Sequence, residues 1–253
     1  MNNIRISTTT LKIIAIIAMT INHICVSFFT VLPYNYVILG ASIGGITFPI
    51  IAYLLVQGAM STENINKYLL RIFIFWIVSI IPFHLATSFK LVHEHSFLDL
   101  LNNVGCTLFF ALLMIKSLEK HKKSSIFVKF LIVTTCFVIT LASDWGGIGV
   151  IIVFSFYQFK NKRLGIVLSP MIISLCIILL GCIKYFLRGF RLVEPYYLLN
   201  AIIRGIGPLI AIPLLMLHEK SKSKPSTILK YLFYIYYPLH FLIIWMFQMI
   251  IIE

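Results

Sequence analysis

Leu11 to Phe29 reads LKIIAIIAMTINHICVSFF, and this stretch decides the fold. It is apolar for long enough to cross a hydrocarbon layer of about 30 Å as a helix. It also carries His23 in its interior. A second imidazole, His240, lies inside the apolar run Ile228 to Ile252. An ionisable group at membrane depth is costly and marks a functional site by default. The remaining chain reads as the scaffold for that pair.

Runs of similar character follow at Tyr36 to Ala59, Tyr68 to Thr87, Phe97 to Ile115, Ile126 to Ala142, Trp145 to Phe159, Gly165 to Leu187 and Tyr197 to Leu217. The expected fold is therefore all-α: a polytopic transmembrane helical bundle of about nine spans, forming one domain over residues 1–253. Trp145 to Phe159 is the shortest run. It follows the span before it after only Ser143 and Asp144, so a re-entrant course is an alternative for it. Met1 to Thr10 is polar and no small-residue cleavage pattern follows Leu11 to Phe29, which predicts a retained first helix.

The composition agrees: 60% of residues are hydrophobic and 11% charged, with a mean hydropathy of +1.00, beyond the range of soluble domains. The net charge of +13 lies in short loops rather than on a compact basic face, which argues for membrane topology and against nucleic acid as a partner. Arg5 and Lys12, then Lys67 and Arg71, Lys116 to Lys123, Lys160 to Arg163, and Lys220 to Lys224 fall on one side. That side is expected to be cytoplasmic, as is the N-terminus, in a multi-pass protein of the plasma membrane. Lys90 and the cluster Lys184, Arg188 and Arg191 fall on the other side as exceptions. Five cysteines occupy apolar runs without metal-type spacing, so no metal is expected.

Within the spans the polar residues are few. His23 and His240 each lie twelve residues into spans that run outward, about 18 Å from the cytoplasmic face. Asn22, Asn103, Thr107, Gln57, Asn200 and Arg204 are also inside spans, and one polar chamber would satisfy them all. Arg204 calls for a carboxylate, a phosphate or a water-filled cavity. Lys12 and His23 are eleven residues apart, hence on nearly one helix face about 16 Å from each other. That spacing suits a long cofactor with its phosphates at the cytoplasmic mouth, although a Lys that snorkels as a helix-end anchor is the simpler reading of it. Asp144, in Ala-Ser-Asp-Trp-Gly-Gly, either caps the helix that follows it or orients a histidine. Gly44, Gly45, Pro49, Gly205, Gly207, Pro208 and Pro213 are read as packing or kink positions.

Several separated stretches carry a family resemblance: Leu11 to His23, FPIIAYLLVQG at Phe48 to Gly58, NINKYLLR at Asn64 to Arg71, and FYIYYPLH at Phe233 to His240. With Ile81 to Phe83, Asn103 to Leu108 and Asp-Trp-Gly in the same order, the chain resembles the TraX family of conjugal-transfer pilin acetyltransferases. The resemblance implies an integral membrane acetyltransferase that uses acetyl-CoA and is related to the wider membrane acyltransferases. Lys12 and His23 resemble the Arg-x10-His signature of those enzymes, with Lys in place of Arg. Three features depart from the family pattern. Asn22 stands where Asp is common, Gly45 where Arg is usual, and His218 to Lys224 replaces a short basic Gly-containing motif.

The expected reaction moves an acetyl group from cytoplasmic acetyl-CoA to an amine or hydroxyl acceptor, whether a peptide N-terminus such as that of pilin, a sugar or a lipid headgroup. His23 is the expected base or acetyl carrier, with Asn22 beside it. His240, Asn103 and Asp144 would orient the base or stabilise the oxyanion. Lys12, Lys67, Arg71 and Arg204 would serve the cofactor phosphates. A permease with a buried polar relay and a non-catalytic scaffold or immunity protein are the competing readings. The topology has a direct check: cysteines placed at Asn35 or His93 should be labelled from outside intact cells, and cysteines at Lys122 or Lys222 should not. External labelling at Lys122 would reverse the orientation.

Overall fold

A computed structural model describes residues 5–87, 101–160, 162–187, 196–219 and 227–251. Lys90, His93, Arg188, Arg191, Lys220, Lys222 and Lys224, which enter the orientation argument, lie outside these residues. Among the described residues there are ten α-helices: α1 (Thr8–Ser27), α2 (Tyr34–Gly44), α3 (Thr47–Ser61), α4 (Ile65–Thr87), α5 (Val104–Lys120), α6 (Ile126–Ile139), α7 (Gly146–Gln158), α8 (Arg163–Leu187), α9 (Tyr196–Met216) and α10 (Thr227–Ile251).

Every apolar run read from the sequence carries helix. Two runs differ in detail. The run from Tyr36 to Ala59 breaks at Gly45 and Ile46, between α2 and α3, with Pro49 in the first turn of α3, where its missing N–H has no intrahelical partner to lose. The run from Phe97 to Ile115 gives a helix displaced toward the C-terminus, starting only at Val104. Among the described residues six stretches are long and apolar enough to cross a membrane: Thr8–Ser27, Tyr34–Ser61, Ile65–Thr87, Arg163–Leu187, Leu198–Met216 and Tyr231–Ile251. Their exposed faces carry Ile13, Ile17, Ile74, Ile77, Ile81, Leu175 and Leu179, apolar surface suited to lipid rather than water. With 17, 14 and 13 residues, α5, α6 and α7 are shorter than the roughly 20 residues a span needs.

The helices gather into two compact units, neither continuous in sequence: residues 1–51 with 161–224, and residues 52–160 with 225–253. In the first unit α8 and α9 run antiparallel with small residues at the contact, Gly181 facing Ala201 and Gly205 facing Ile178 and Ser174. α1 and α2 pair in the same way, Gly40 against Cys25 and Gly44 against Asn22. Ser42 Oγ donates to the Ile203 carbonyl at 2.7 Å, and Thr47 Oγ1 donates to the Ala15 carbonyl at 3.1 Å. The N-terminal segment is clamped to the end of α9. Ile6 N–H donates to the Leu217 carbonyl at 2.9 Å and Glu219 N–H to the Ile6 carbonyl at 3.0 Å, while Arg5 pairs with Glu219 and holds its carboxyl below the usual range.

In the second unit α4 and α10 run parallel: Phe75 meets Tyr234 and Tyr237, and Phe83 meets Phe241. α5 lies antiparallel to α4, with Gly105 on Trp76 and Phe109 on Phe73. The C-terminal ends of α5 and α7 are tied by Lys160, whose ammonium donates to Glu119 at 2.8 Å, and by Tyr157, whose hydroxyl donates to the same carboxylate at 2.9 Å. Together these hold Glu119 below the usual carboxylate range.

α2 and α9 come close together at Gly207, where a Cβ would run into the backbone carbonyl of Ser42. Gly207→Ala should therefore force the two helices apart at a cost of about 1–3 kcal/mol, lowering the midpoint of thermal unfolding in detergent by about 2 to 12 °C. Leu209→Ala, at an exposed neighbouring position, should change it far less.

Candidate functional site

The second unit contains a polar cluster at an unusual depth. Trp76 stands half-way along α4, and the first turn of α5 is seated against it. A Cβ at Gly105 would come within 2.6 Å of the Trp76 Cα, so only glycine lets the helix start here. Asn103 caps that start: its Oδ1 accepts from the Gly105 N–H at 2.8 Å, and its Nδ2 donates to the Trp76 carbonyl at 3.4 Å. A helix N-terminus thus begins beside the middle of a membrane-length helix, about 16 Å short of the far end of α4.

The turn between α6 and α7 arrives at the same level. A 3-10 turn at Thr140–Ala142 ends α6, and Ser143 Oγ sits 2.6 Å from Thr107 Oγ1 on α5. Because Ser143 Oγ donates to the Thr140 carbonyl at 2.8 Å, Thr107 is the donor of that pair. Gly146 adopts φ 52, a left-handed conformation that glycine takes without strain. The chain reverses there, and α7 starts with Trp145 as its N-cap and no capping side chain. Asp144 therefore does not cap α7, because the turn places it one residue too early. Its side chain is exposed and lies within electrostatic reach of Tyr237 on α10.

α10 supplies the third wall. Its Tyr237 is 4% exposed, and its hydroxyl, close to the Val104 N–H and within electrostatic reach of Asp144, makes no well-formed hydrogen bond. One turn on, His240 is 4% exposed. Its Nδ1 lies 3.2 Å from the Tyr236 carbonyl, which can only accept, so Nδ1 carries the proton and Nε2 is the basic nitrogen. The ring is stacked parallel on Tyr236 at 5.4 Å and lies against Tyr237 and Phe241.

Of the residues singled out in the sequence, Asn103 and Asp144 are thus brought to one level of the second unit, and Tyr237 connects them to His240. Asn103 is engaged at both ends as a cap. His23 and Asn22 belong to the first unit, half-buried on α1, with Asn22 packed on Gly44. Lys12 is half-buried on the same helix, and Arg204 is exposed on α9. Asn200 donates to the Tyr34 hydroxyl at 2.9 Å. Lys12, Asn22, His23, Asn200 and Arg204 thus belong to the first unit, and Asn103, Thr107, Asp144 and His240 to the second.

Two further cations lie on α4. Lys67 is exposed, whereas Arg71 is half-buried, 5.2 Å over the Tyr68 ring and hydrogen-bonded to Tyr234. The Arg71 Nε is buried without a partner, which suits an added anion. Tyr237 escapes the sequence reading. The available signal is its place three residues before His240, on the same helix face.

No solved structure matches this chain. It is similar to the probable fimbrial assembly protein FimC, serogroup H1, of Dichelobacter nodosus, at 24% identity over 239 residues that cover 94% of each chain. The family model described as TraX protein matches residues 7–248, nearly the whole length, and the chain therefore belongs to the TraX family.

Proposed function

We propose that the protein is a membrane acetyltransferase that takes an acetyl group from cytoplasmic acetyl-CoA and delivers it to an amine or hydroxyl of a pilus or envelope component. The observation that carries this reading is the convergence of Asp144, Tyr237 and the α5 N-terminus half-way along α4, with His240 one turn away. A proton acceptor, an imidazole and a hydrogen-bond donor brought to one level are the groups acyl transfer requires. The TraX family is associated with pilin acetylation, and the curated relative is named for fimbrial assembly. Both support an acceptor in that class of appendage.

The cations on α4 fit the donor. Arg71 and Lys67 lie roughly 7 and 14 Å along the helix from the level of Trp76, so phosphates held there leave the acyl end free to extend deeper. Lys12 and His23 share a face of α1 by spacing and are assigned the same kinds of role, a phosphate contact and a base.

Purified protein given labelled acetyl-CoA should release free thiol and transfer label to an acceptor. A protein that does neither is a scaffold or a permease. Given transfer, His23→Ala and His240→Ala separate the two imidazoles, the true base costing about 10²- to 10⁴-fold in turnover. Lys12→Ala and Arg71→Ala should each weaken acetyl-CoA binding by about 1–3 kcal/mol if they hold a phosphate. Unchanged affinity in Lys12→Ala would leave Lys12 as a membrane anchor.

A further inference from the structure

A buried tyrosine hydroxyl that makes no well-formed hydrogen bond needs a reason. Tyr237 is 4% exposed, and its ring is held by Phe75 at 5.1 Å, Phe241 at 5.1 Å and His240 at 5.4 Å. Those contacts fix where the hydroxyl points, and it points at the first residue of α5. Leaving such a group unsatisfied costs about 1–3 kcal/mol, so a ligand atom that accepts from it recovers this cost on binding.

The neighbourhood narrows the ligand chemistry. In the first turn of α5, the Gly105 N–H is taken by the Asn103 side chain and the Cys106 N–H by the Asn103 carbonyl at 3.2 Å. The Val104 N–H is directed toward the Tyr237 oxygen. The positive end of the helix dipole therefore acts on that oxygen and leaves the phenolic proton to donate outward. Asp144 lies within electrostatic reach of the same oxygen, and its charge disfavours a permanent anion beside it but not a neutral carbonyl.

We propose that Tyr237, polarised by the N-terminus of α5, is the hydrogen-bond donor to the acyl carbonyl oxygen of the thioester, making this level of the second unit the acyl-binding site. This rests on the acetyltransferase reading. As the acceptor nitrogen or oxygen bonds to the carbonyl carbon, the carbonyl π pair moves onto the oxygen held by Tyr237. The acceptor's proton passes to the imidazole that serves as base, so a positive charge appears as the oxyanion forms. Collapse re-forms the C=O bond and expels the thiolate, which takes that proton back from the imidazolium and leaves as the free thiol. The balance is acetyl thioester plus acceptor giving acetylated acceptor plus thiol.

Tyr237→Phe removes the hydroxyl and keeps the ring contacts. In protein that transfers label, the variant should lose about 10²- to 10³-fold in kcat, with KM for acetyl-CoA changed by less than about threefold. Infrared spectra of carbonyl-13C acetyl-CoA bound to the unaltered protein, which need no variant, should show the thioester stretch moved to lower frequency. That shift should vanish in Tyr237→Phe. Label transfer that survives Tyr237→Phe, or an unshifted carbonyl in the unaltered protein, overturns the assignment and leaves the acetyltransferase reading standing. Absence of label transfer by the unaltered protein overturns both.

Discussion

The capped start of α5 against the backbone of Trp76 is the contact on which the second unit depends. A helix end leaves backbone N–H groups without intrahelical partners, and hydrocarbon offers none. Here Asn103 satisfies the Gly105 N–H, and Gly105 lets α5 approach the Trp76 Cα. A larger residue at 105 would separate the helices and expose the cap. With the end of α5 fixed, Thr107 and Ser143 hold the α6–α7 turn beside it, so the turn stops at the same level.

The first unit solves a different problem by small-residue packing. Gly181, Gly205 and Gly207 bring α9 against α8 and α2, and Ser42 satisfies the Ile203 carbonyl across the contact. Such interfaces gain stability from close approach and hydrogen bonding, since burial of apolar surface brings little between helices in lipid. The clamp of Arg5 and Ile6 onto residues 217–219 closes one end of the unit.

Much of the scaffold is legible in the sequence, because a run of apolar residues is a strong and local signal. Each of the nine runs carries helix. The level at which the short helices stop is not local: Phe97 to Ile115 reads as a span, and only the glycine at 105 and its cap at Asn103 show why the helix starts at Val104. Asp144 looks like a cap until the positive φ of Gly146 moves it out of position. Asn103 and His240 stand out as polar residues in apolar runs. Tyr237 does not, because a tyrosine among Tyr234, Tyr236 and Phe241 reads as ordinary aromatic packing.

A polar site lies beside the middle of α4, at the α5 start and the α6–α7 turn. The most direct measurement is a disulfide cross-link in membranes between Thr107→Cys and Ser143→Cys, in protein whose five native cysteines have been replaced. The hydroxyls are 2.6 Å apart, so mild oxidation should join the pair rapidly and nearly completely. A pair that stays reduced would contradict the account, since the α6–α7 turn would then lie away from α5 and Asp144 could not share a site with Tyr237.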